Sequence, residues 1–227
     1  KRFVFPKDLV TKDGEKGFGY IMELLDDRYL TLAKLMAQIG TLKTKMKREE
    51  YCKLCYQLSD CFKVLHAKGL CYKDINYGNI MVNPQTQEIK IIDNDNIAID
   101  GKSKIQIGTR CFIAPEVIKG KNPDRKSDQH SLAVLLFWMW LRWWPFAGKI
   151  CPPEWDDMGM DKFYAKPTFI FDPKNKANAL DRSPDHKKIR LRWNSCPNSL
   201  KKMFITAFTE GLHQPQKRIV DRTWAKF

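Results

Sequence analysis

One stretch of polar residues constrains this chain more than any other feature. Residues 72–79 read Tyr-Lys-Asp-Ile-Asn-Tyr-Gly-Asn, and a turn predicted at 83–87 leads to a short apolar strand that ends just before Asp93. Asp74 and Asn79 lie five residues apart on the predicted loop, and Asp93 lies at the end of the strand. Together they supply one potential base and two oxygen ligands for a hard cation such as Mg²⁺.

The composition is that of a globular protein. The chain has 227 residues, of which 43% are hydrophobic, so it holds one domain, or a domain and a fragment, and is neither disordered nor collagen-like. Its longest strongly apolar stretch, from Leu132 to Leu141, is well short of the roughly 18 residues that span a bilayer. We therefore expect no membrane span. Seven cysteines, an odd number, and the lack of a signal peptide lead us to expect reduced thiols and a cytoplasmic location.

The charge is strongly positive and unevenly spread. The formal net charge is +14, and the segment 174–227 alone holds 13 Lys and Arg against 4 Asp and Glu. Such a balance permits nucleic acid, a phosphorylated substrate or a membrane surface as a partner. No combined aromatic and basic nucleic-acid motif accompanies the charge. We therefore expect scattered lysines on a solvated surface and no nucleic-acid partner.

Turn signals and hydrophobic periodicity outline the first half of the chain. Two short strands, 3–10 and 18–25, flank a turn-forming segment and predict a β-hairpin. Apolar residues at three- and four-residue spacing predict an amphipathic helix over 48–67. The segment 70–92 is again hairpin-like, with polar side chains at both ends.

The second half is expected to contain two longer helices. Ser127 is predicted to cap a helix whose body, from Leu132 to Trp143, is apolar on nearly every side and must therefore be central and buried. The segment 146–190 has little periodicity and predicts loops with short helices. Asn198 or Ser199 is predicted to cap a further helix.

The polar loop and the strand end resemble the catalytic loop and the magnesium loop of the protein kinase family. The resemblance implies that Asp74 accepts or orients the proton of the substrate hydroxyl. It also implies that Asn79 and Asp93 bind Mg²⁺, in whose place Mn²⁺ could stand, and that the cosubstrate is ATP.

Two flanking segments carry the resemblance further. Residues 108–116, which end in Ala-Pro-Glu, resemble the end of a protein kinase activation segment, and 127–134 is similar to the start of that family's central helix. The resemblance implies that Asp128 braces the catalytic loop. It further implies that Arg218 pairs with Glu116.

Thr109 takes the position of the threonine that hydrogen-bonds around the catalytic aspartate in serine/threonine kinases, so the resemblance makes it part of the catalytic group. Thr109 and Ser103 are also candidate phosphorylation sites in the activation segment. Residues 20–25 resemble the strand that runs into the hinge between the kinase lobes. By that resemblance Met22 is the gatekeeper, and backbone groups of Glu23 and Leu25 hydrogen-bond the adenine of ATP.

Several positions depart from the family pattern. Asn76, in the catalytic loop, replaces the lysine that helps neutralise the transferring phosphoryl group, and this loss is expected to slow the chemistry. Asn94 and Asp95 replace the Phe-Gly of the magnesium loop, so Asp95 adds a carboxylate beside the metal site. With the segment 167–173, this Asp-Asn-Asp sequence looks like a divergent bacterial branch of kinases.

The glycine-rich loop, the phosphate-binding lysine and its helix glutamate have no counterpart in these residues. With the lack of an initiator Met, this leads us to expect a domain cut short and a fragment that is inactive alone. The resemblance implies an α+β, protein kinase-like fold. Remnant N-lobe strands and the hinge would occupy 1–25, and a predominantly helical C-lobe with short β-hairpins would occupy 26–227.

The resemblance implies an ATP-dependent protein kinase that transfers the γ-phosphoryl group to a Ser or Thr hydroxyl of a protein substrate. A catalytically weak pseudokinase or scaffold that binds nucleotide or a partner protein is the first alternative, because of Asn76 and Asn94. A small-molecule phosphotransferase is the second, and it is disfavoured because the Ala-Pro-Glu sequence and Arg218 have no role in it. The sequence leaves the phosphoacceptor and the oligomeric state open.

Overall fold

A computed structural model of the protein describes residues 2–14, 16–41, 45–102, 108–151 and 157–227. The strands are short and pair antiparallel: β1 (Pro6–Thr11), β2 (Phe18–Met22), β3 (Leu30–Thr31), β4 (Leu70–Cys71), β5 (Ile80–Val82), β6 (Ile89–Ile91) and β7 (Ala98–Ile99). The helices are α1 (Leu32–Gly40), α2 (Arg48–Ala67), α3 (Pro115–Ile118), α4 (Arg125–Leu141), α5 (Asp157–Ala165), α6 (Pro184–Ser195), α7 (Asn198–Phe208), α8 (Glu210–His213) and α9 (Asp221–Lys226). The described residues therefore mix α and β structure, with more residues in helices than in strands.

The first predicted hairpin is confirmed with different bounds: β1 runs from Pro6 to Thr11, and β2 ends at Met22, so 23–25 lies outside the strand. Strands β1 and β2 pair antiparallel, but Phe3 and Val4 lie outside β1 and instead pair with β6, where the Val4 amide donates to the Ile91 carbonyl at 2.9 Å. Pro6 has no N–H to donate, which suits it to the irregular start of β1. Every residue of β1 and β2 is exposed, so this hairpin projects from the rest of the molecule.

The second hairpin lies at the base of the predicted magnesium loop. Strands β5 and β6 pair in the register Ile80↔Ile91, and β3 adds a third strand beside β5. The backbone turns at 83–87, as predicted, where the Gln87 amide donates to the Asn83 carbonyl at 2.8 Å. This hairpin brings the loop that precedes β5 and the residues that follow β6 to the same end of the sheet.

Helices α2 and α4 form the centre of the molecule. The predicted helix 48–67 is confirmed as α2, and its apolar stripe packs in the core. Helix α4 is buried on nearly every side, also as predicted, because apolar residues surround its axis. Its predicted N-cap is wrong, however. Asp124 caps α4 by accepting from the Ser127 amide at 2.8 Å, so the helix begins before Ser127 and takes in its polar first turn.

The remaining helices complete the lobe around α4. Helix α7 is confirmed, but its predicted N-cap is wrong: the N-cap is Pro197, and the helical backbone already begins at Asn198. The segment 146–190 contains α5 and the start of α6 between loops. No helix in the described part of the chain is both long enough and apolar enough to cross a membrane. All seven cysteines lie among the described residues and are unpaired.

Candidate active site

The Asp74 carboxylate is held on both of its oxygens. Its Oδ1 accepts hydrogen bonds from the Thr109 amide at 3.0 Å and the Thr109 hydroxyl at 3.2 Å. Its Oδ2 accepts from the Asn79 amide nitrogen at 3.1 Å. The expected hydrogen bond between Thr109 and the aspartate is therefore present, and it ties the loop at 72–79 to the activation-segment end. Gly108 permits this approach, because a Cβ there would lie 2.9 Å from Asp74 Oδ1.

Asn76 organises the inside of the same loop. Its side-chain oxygen accepts from the Gly78 amide at 2.7 Å and the Asn79 amide at 3.2 Å, and its nitrogen donates to the Asp74 carbonyl at 3.2 Å. The side chain is buried, with 6% of its surface exposed. Its hydrogen-bonding capacity is therefore used mainly within the loop, which fixes the spacing between Asp74 and Asn79.

Asp128 binds the backbone at the start of the loop 72–79. Its carboxylate accepts from the backbone amides of Tyr72 at 2.5 Å and Lys73 at 2.9 Å, while the Lys73 backbone adopts a left-handed conformation with φ of 73°. The bracing role implied for Asp128 is confirmed by these contacts. Because Asp128 belongs to the buried first turn of α4, the loop is fixed to the buried central helix.

Sequence reasoning missed the group that supports Asp128. His66, at the end of α2, lies 3.0 Å from Asp128 Oδ2 through Nε2 and 2.7 Å from Asp221 Oδ2 through Nδ1. Burial by itself lowers the pKa of His66, but the hydrogen bonds and charges of the two carboxylates outweigh burial and raise the pKa to about 9. The only sequence signal was a histidine on a helix close to the loop, and nothing local pointed to Asp221.

Asp93 and Asp95 form a pair of neighbouring carboxyl groups after β6. A hydrogen bond to Asp95, with burial and the charges of Asp95 and Asp74, raises the pKa of Asp93. Asp93 adopts a left-handed backbone conformation with φ of 58°, which turns the chain sharply at this point. Asn94 is buried and donates to the Val4 carbonyl at 2.7 Å and the Ile91 carbonyl at 3.0 Å, so it anchors the loop.

A cleft with a volume of about 470 Å³ lies between the β1–β2 hairpin and this loop. It brings together five of the residues singled out from the sequence, namely Met22, Glu23, Leu25, Asp93 and Asp95. The others, Asp74, Asn76, Asn79 and Thr109, lie on the adjoining loops and do not line the cleft. The Tyr72 side chain links the two groups, because it lies near Asn79, Asp74 and Asp93 and donates to the Ile92 carbonyl.

The residues around the cleft fit a magnesium nucleotide. Asn79 uses its side-chain nitrogen to bind Asp74, which leaves its side-chain oxygen as a ligand atom. Two adjacent carboxyl groups, one with a raised pKa, are the oxygen donors that a divalent cation would neutralise. Apolar side chains that line the same cleft, among them Val4, Met81 and Ile92, could cover a planar base.

Far from the cleft, the implied pairing of Arg218 with Glu116 is confirmed. The guanidinium donates to both carboxylate oxygens, at 2.6 and 2.7 Å, and also to the carbonyls of Lys126 and Gly211. Only 2% of the Arg218 side chain is exposed. This buried pair ties the end of the activation segment to α4 and the segment after α8. Ser103 lies outside the described residues.

Comparison with known proteins agrees with this geometry. The family model for the protein kinase domain matches residues 12–203. The chain is 35% identical over 88 residues to mouse protein kinase C delta type, covering 37% of this chain and 13% of that protein. It is 27% identical over 131 residues to the Arabidopsis thaliana serine/threonine/tyrosine-protein kinase HT1, covering 53% of this chain and 33% of that protein.

A third relative is chicken serine/threonine-protein kinase 40, which is 28% identical over 111 residues, covering 47% of this chain and 26% of that protein. The chain thus spans at most about a third of the length of these three relatives, all of which are eukaryotic. The family model nevertheless covers most of the chain, including the loop that holds Asp74 and the residues around Asp93. The chain belongs to the protein kinase family.

Proposed function

We propose that this domain transfers the γ-phosphoryl group of Mg·ATP to a Ser or Thr hydroxyl of a protein substrate. The observation that carries the proposal is the fixed Asp74 carboxylate, held by Thr109 and Asn79 next to the cleft that ends at Asp93. A carboxylate fixed in this way is ready to accept or orient a hydroxyl proton. Ser/Thr specificity is supported by the similarity to serine/threonine-protein kinase 40 and by the Thr109 contact.

In this proposal the metal, the adenine and the substrate hydroxyl are bound by different parts of the site. Asn79, Asp93 and Asp95 would hold Mg²⁺, or Mn²⁺, through oxygen atoms, and the metal would neutralise charge on the phosphate oxygens. Backbone groups of Glu23 and Leu25 would bind the adenine edge, with Met22 beside it. Asp74 would take the hydroxyl proton as the oxygen attacks, because its position is fixed before the substrate arrives.

Asn76 acts, in our proposal, as a positioning residue for the loop. All three of its hydrogen bonds are to backbone groups of residues 74–79, so it fixes the distance between the proposed base and the proposed metal ligand. It carries no charge to place on a transferring phosphoryl group. We therefore expect slower turnover than in a kinase with lysine at this position.

We propose that the remaining ATP-binding groups come from protein that packs on the β1–β2 hairpin. Large apolar side chains of this hairpin and the residues after it are exposed, including Phe18 at 72%, Ile21 at 54% and Leu24 at 94%. A two-stranded hairpin is marginally stable by itself in water, so further strands are expected to cover it. We propose that the segment 1–25 is the hinge side of an N-lobe and that residues 1–227 alone are inactive.

The test is phosphoryl transfer to Ser/Thr peptides by the full-length protein with ATP and Mg²⁺. Asp74→Asn should lower kcat by about 100-fold or more and leave nucleotide binding intact, because it removes only the proton acceptor. Asp93→Asn should weaken the metal-dependent part of nucleotide binding as well. Asp185→Asn, an exposed substitution on α6, is the matched control and should retain full activity. Unchanged activity in Asp74→Asn would refute the proposal.

The pseudokinase alternative rests on Asn76, which replaces the lysine of the catalytic loop, and on Asn94, which replaces the phenylalanine of the magnesium loop. Thermal shift with ATP and Mg²⁺ separates the readings, because a bound nucleotide adds about 2.7 kcal/mol of stability at a concentration of 100 Kd. Nucleotide-dependent stabilisation without phosphoryl transfer would favour a scaffold that binds nucleotide. Stabilisation that Asp93→Asn reduces, together with transfer that Asp74→Asn abolishes, would favour the kinase.

Three further expectations stay predictions. The cytoplasmic location is consistent with seven unpaired cysteines, since reduced thiols suit that compartment. The bacterial branch finds no support among the eukaryotic relatives described above. The expectation of a protein substrate follows from the family, and the expectation of no nucleic-acid partner follows from the lack of a combined aromatic and basic motif in the sequence.

A further inference from the structure

A second cleft, of about 460 Å³, opens between the end of α1, the start of α2, the end of α4 and α6. It shares no residue with the cleft at Asp93. We call it the basic cleft, because its lining combines four cations with an apolar floor: Lys47, Arg48, Arg142 and Arg192 over Ile39, Met46, Tyr51, Met139 and Trp140. None of these nine lining residues carries a carboxylate.

Two of the guanidiniums are oriented by backbone carbonyls of neighbouring helices. Arg142, the residue after α4, donates to the Met36 carbonyl of α1. Arg192, on α6, donates to the Leu141 carbonyl at the end of α4, at 3.0 Å. A guanidinium has five N–H donors, so each side chain keeps further donors after its carbonyl contact. Both side chains are therefore pre-organised at a site where a planar or tetrahedral anion can be bound by two guanidiniums.

The positive charge of the basic cleft is not compensated within it. No Asp or Glu in the described part of the chain forms an ion pair with any of its four cations. Arg142 is partly buried, and burial lowers the pKa of its guanidinium, as does the nearby charge of Arg192. Grouping cations in this way is unfavourable without an anion, so the arrangement points to a negatively charged ligand.

The start of α2 adds to the positive electrostatic potential of the basic cleft. Lys47 is the residue before the helix and Arg48 is its first residue, so two positive charges stand where the helix dipole is also positive. Glu49 and Glu50 share this turn, but neither lines the cleft. Glu50 is engaged by the Lys47 amide at 2.7 Å and by Gln87 at 3.3 Å.

Tyr51 supplies an independent sign of a missing acceptor. Its hydroxyl oxygen is buried and has no hydrogen-bond partner among the described residues. Its ring packs edge to face against Trp140, with centroids 5.3 Å apart, and both residues line the cleft. A buried hydroxyl without a hydrogen-bond partner is unfavourable, and an oxygen acceptor placed beside it would relieve that cost.

We propose that the basic cleft is a docking site for a phosphorylated Ser or Thr side chain in a partner protein. A phosphate dianion has three acceptor oxygens, which two guanidiniums and a phenol can bind together, whereas a carboxylate has two. The apolar floor, with Met139 and Trp140, accommodates the side chain next to the phosphorylated residue. The site is separate from Asp74, so docking here is independent of the phosphoryl transfer proposed above.

The probe is a fluorescent peptide library with a fixed phosphoserine between random residues, measured by anisotropy against the full-length protein. Matched libraries carry serine or glutamate at the fixed position, and vesicles of phosphatidylcholine with or without phosphatidylserine form a separate arm. The test variant is Arg48→Gln with Arg192→Gln, two exposed positions, so the fold is retained. The control is Lys187→Gln with Lys202→Gln, which removes the same charge from exposed positions outside the cleft.

The proposal predicts that the phosphoserine library binds at least about ten-fold more tightly than either matched library, since charge-assisted hydrogen bonds of this kind are each worth more than 1.4 kcal/mol. Arg48→Gln with Arg192→Gln should remove that preference, and the lysine control should keep it. Equal binding by the test variant and the wild type would overturn the proposal. So would equal binding of the glutamate library, or binding to anionic vesicles without binding to the phosphoserine library.

Discussion

The buried histidine beneath the catalytic loop gives a sharp prediction about stability and pH. His66 bridges Asp128 of α4 and Asp221 of α9, and 5% of its side chain is exposed. Its pKa is about 9 in the folded protein, against 6.5 for an unperturbed histidine. A raised folded pKa means that the bridge stabilises the protein fully below about pH 6.5 and that this stabilisation is lost as the pH rises through 9.

The size of the effect follows from the shift. Each pKa unit corresponds to about 1.4 kcal/mol, so the protonated bridge contributes about 3 kcal/mol to the free energy of unfolding. For a chain of this size that corresponds to a fall in Tm of roughly 6 to 12 °C between pH 6 and pH 9.5. Part of the same loss should reach the catalytic loop, because Asp128 binds the amides of Tyr72 and Lys73.

The assay is urea unfolding followed by tryptophan fluorescence at several pH values from 6 to 9.5, with wild type, His66→Gln and the exposed control His213→Gln. Wild type and His213→Gln should lose about 3 kcal/mol over this range relative to His66→Gln. Asp221→Asn should shrink the loss, because one of the two carboxylates that raise the pKa is then neutral. A constant difference between wild type and His66→Gln at every pH would refute the reasoning.

Two further outcomes follow from close contacts elsewhere. Glu116→Gln should lower the free energy of unfolding by about 3–5 kcal/mol, because it leaves the buried Arg218 cation without its charge partner. Chemical denaturation measures this loss. A loss under 1 kcal/mol, which is the size expected for the exposed pair of Lys217 with Glu210, would contradict the prediction. Gly108→Ala should lower kcat about ten-fold or more with little change in KM for ATP, because the added Cβ would lie 2.9 Å from Asp74 Oδ1 and push the carboxylate out of place. Steady-state kinetics tests this prediction, and an unchanged kcat would contradict it.

The helices and hairpins were readable from the sequence because their signals are local. The apolar stripe of α2 and the all-round apolar body of α4 follow from periodicity within the segment itself. The N-cap of α4 was misplaced for a related reason. Ser127 and Asp124 form a reciprocal pair, and either could serve as a cap until the backbone decides where the helix begins.

The sequence by itself determined the family, since the spacing of Asp74, Asn79 and Asp93 is fixed along one short part of the chain. Only the tertiary structure decided what supports that spacing. The contact of His66 with Asp221 joins residues 155 positions apart, and the anchor of Asn94 on Val4 joins residues 90 positions apart. Such contacts depend on how helices and strands pack in three dimensions. Apart from pairs that the family resemblance already implies, such as Arg218 with Glu116, no periodicity along the chain encodes which distant polar groups will meet once water is excluded.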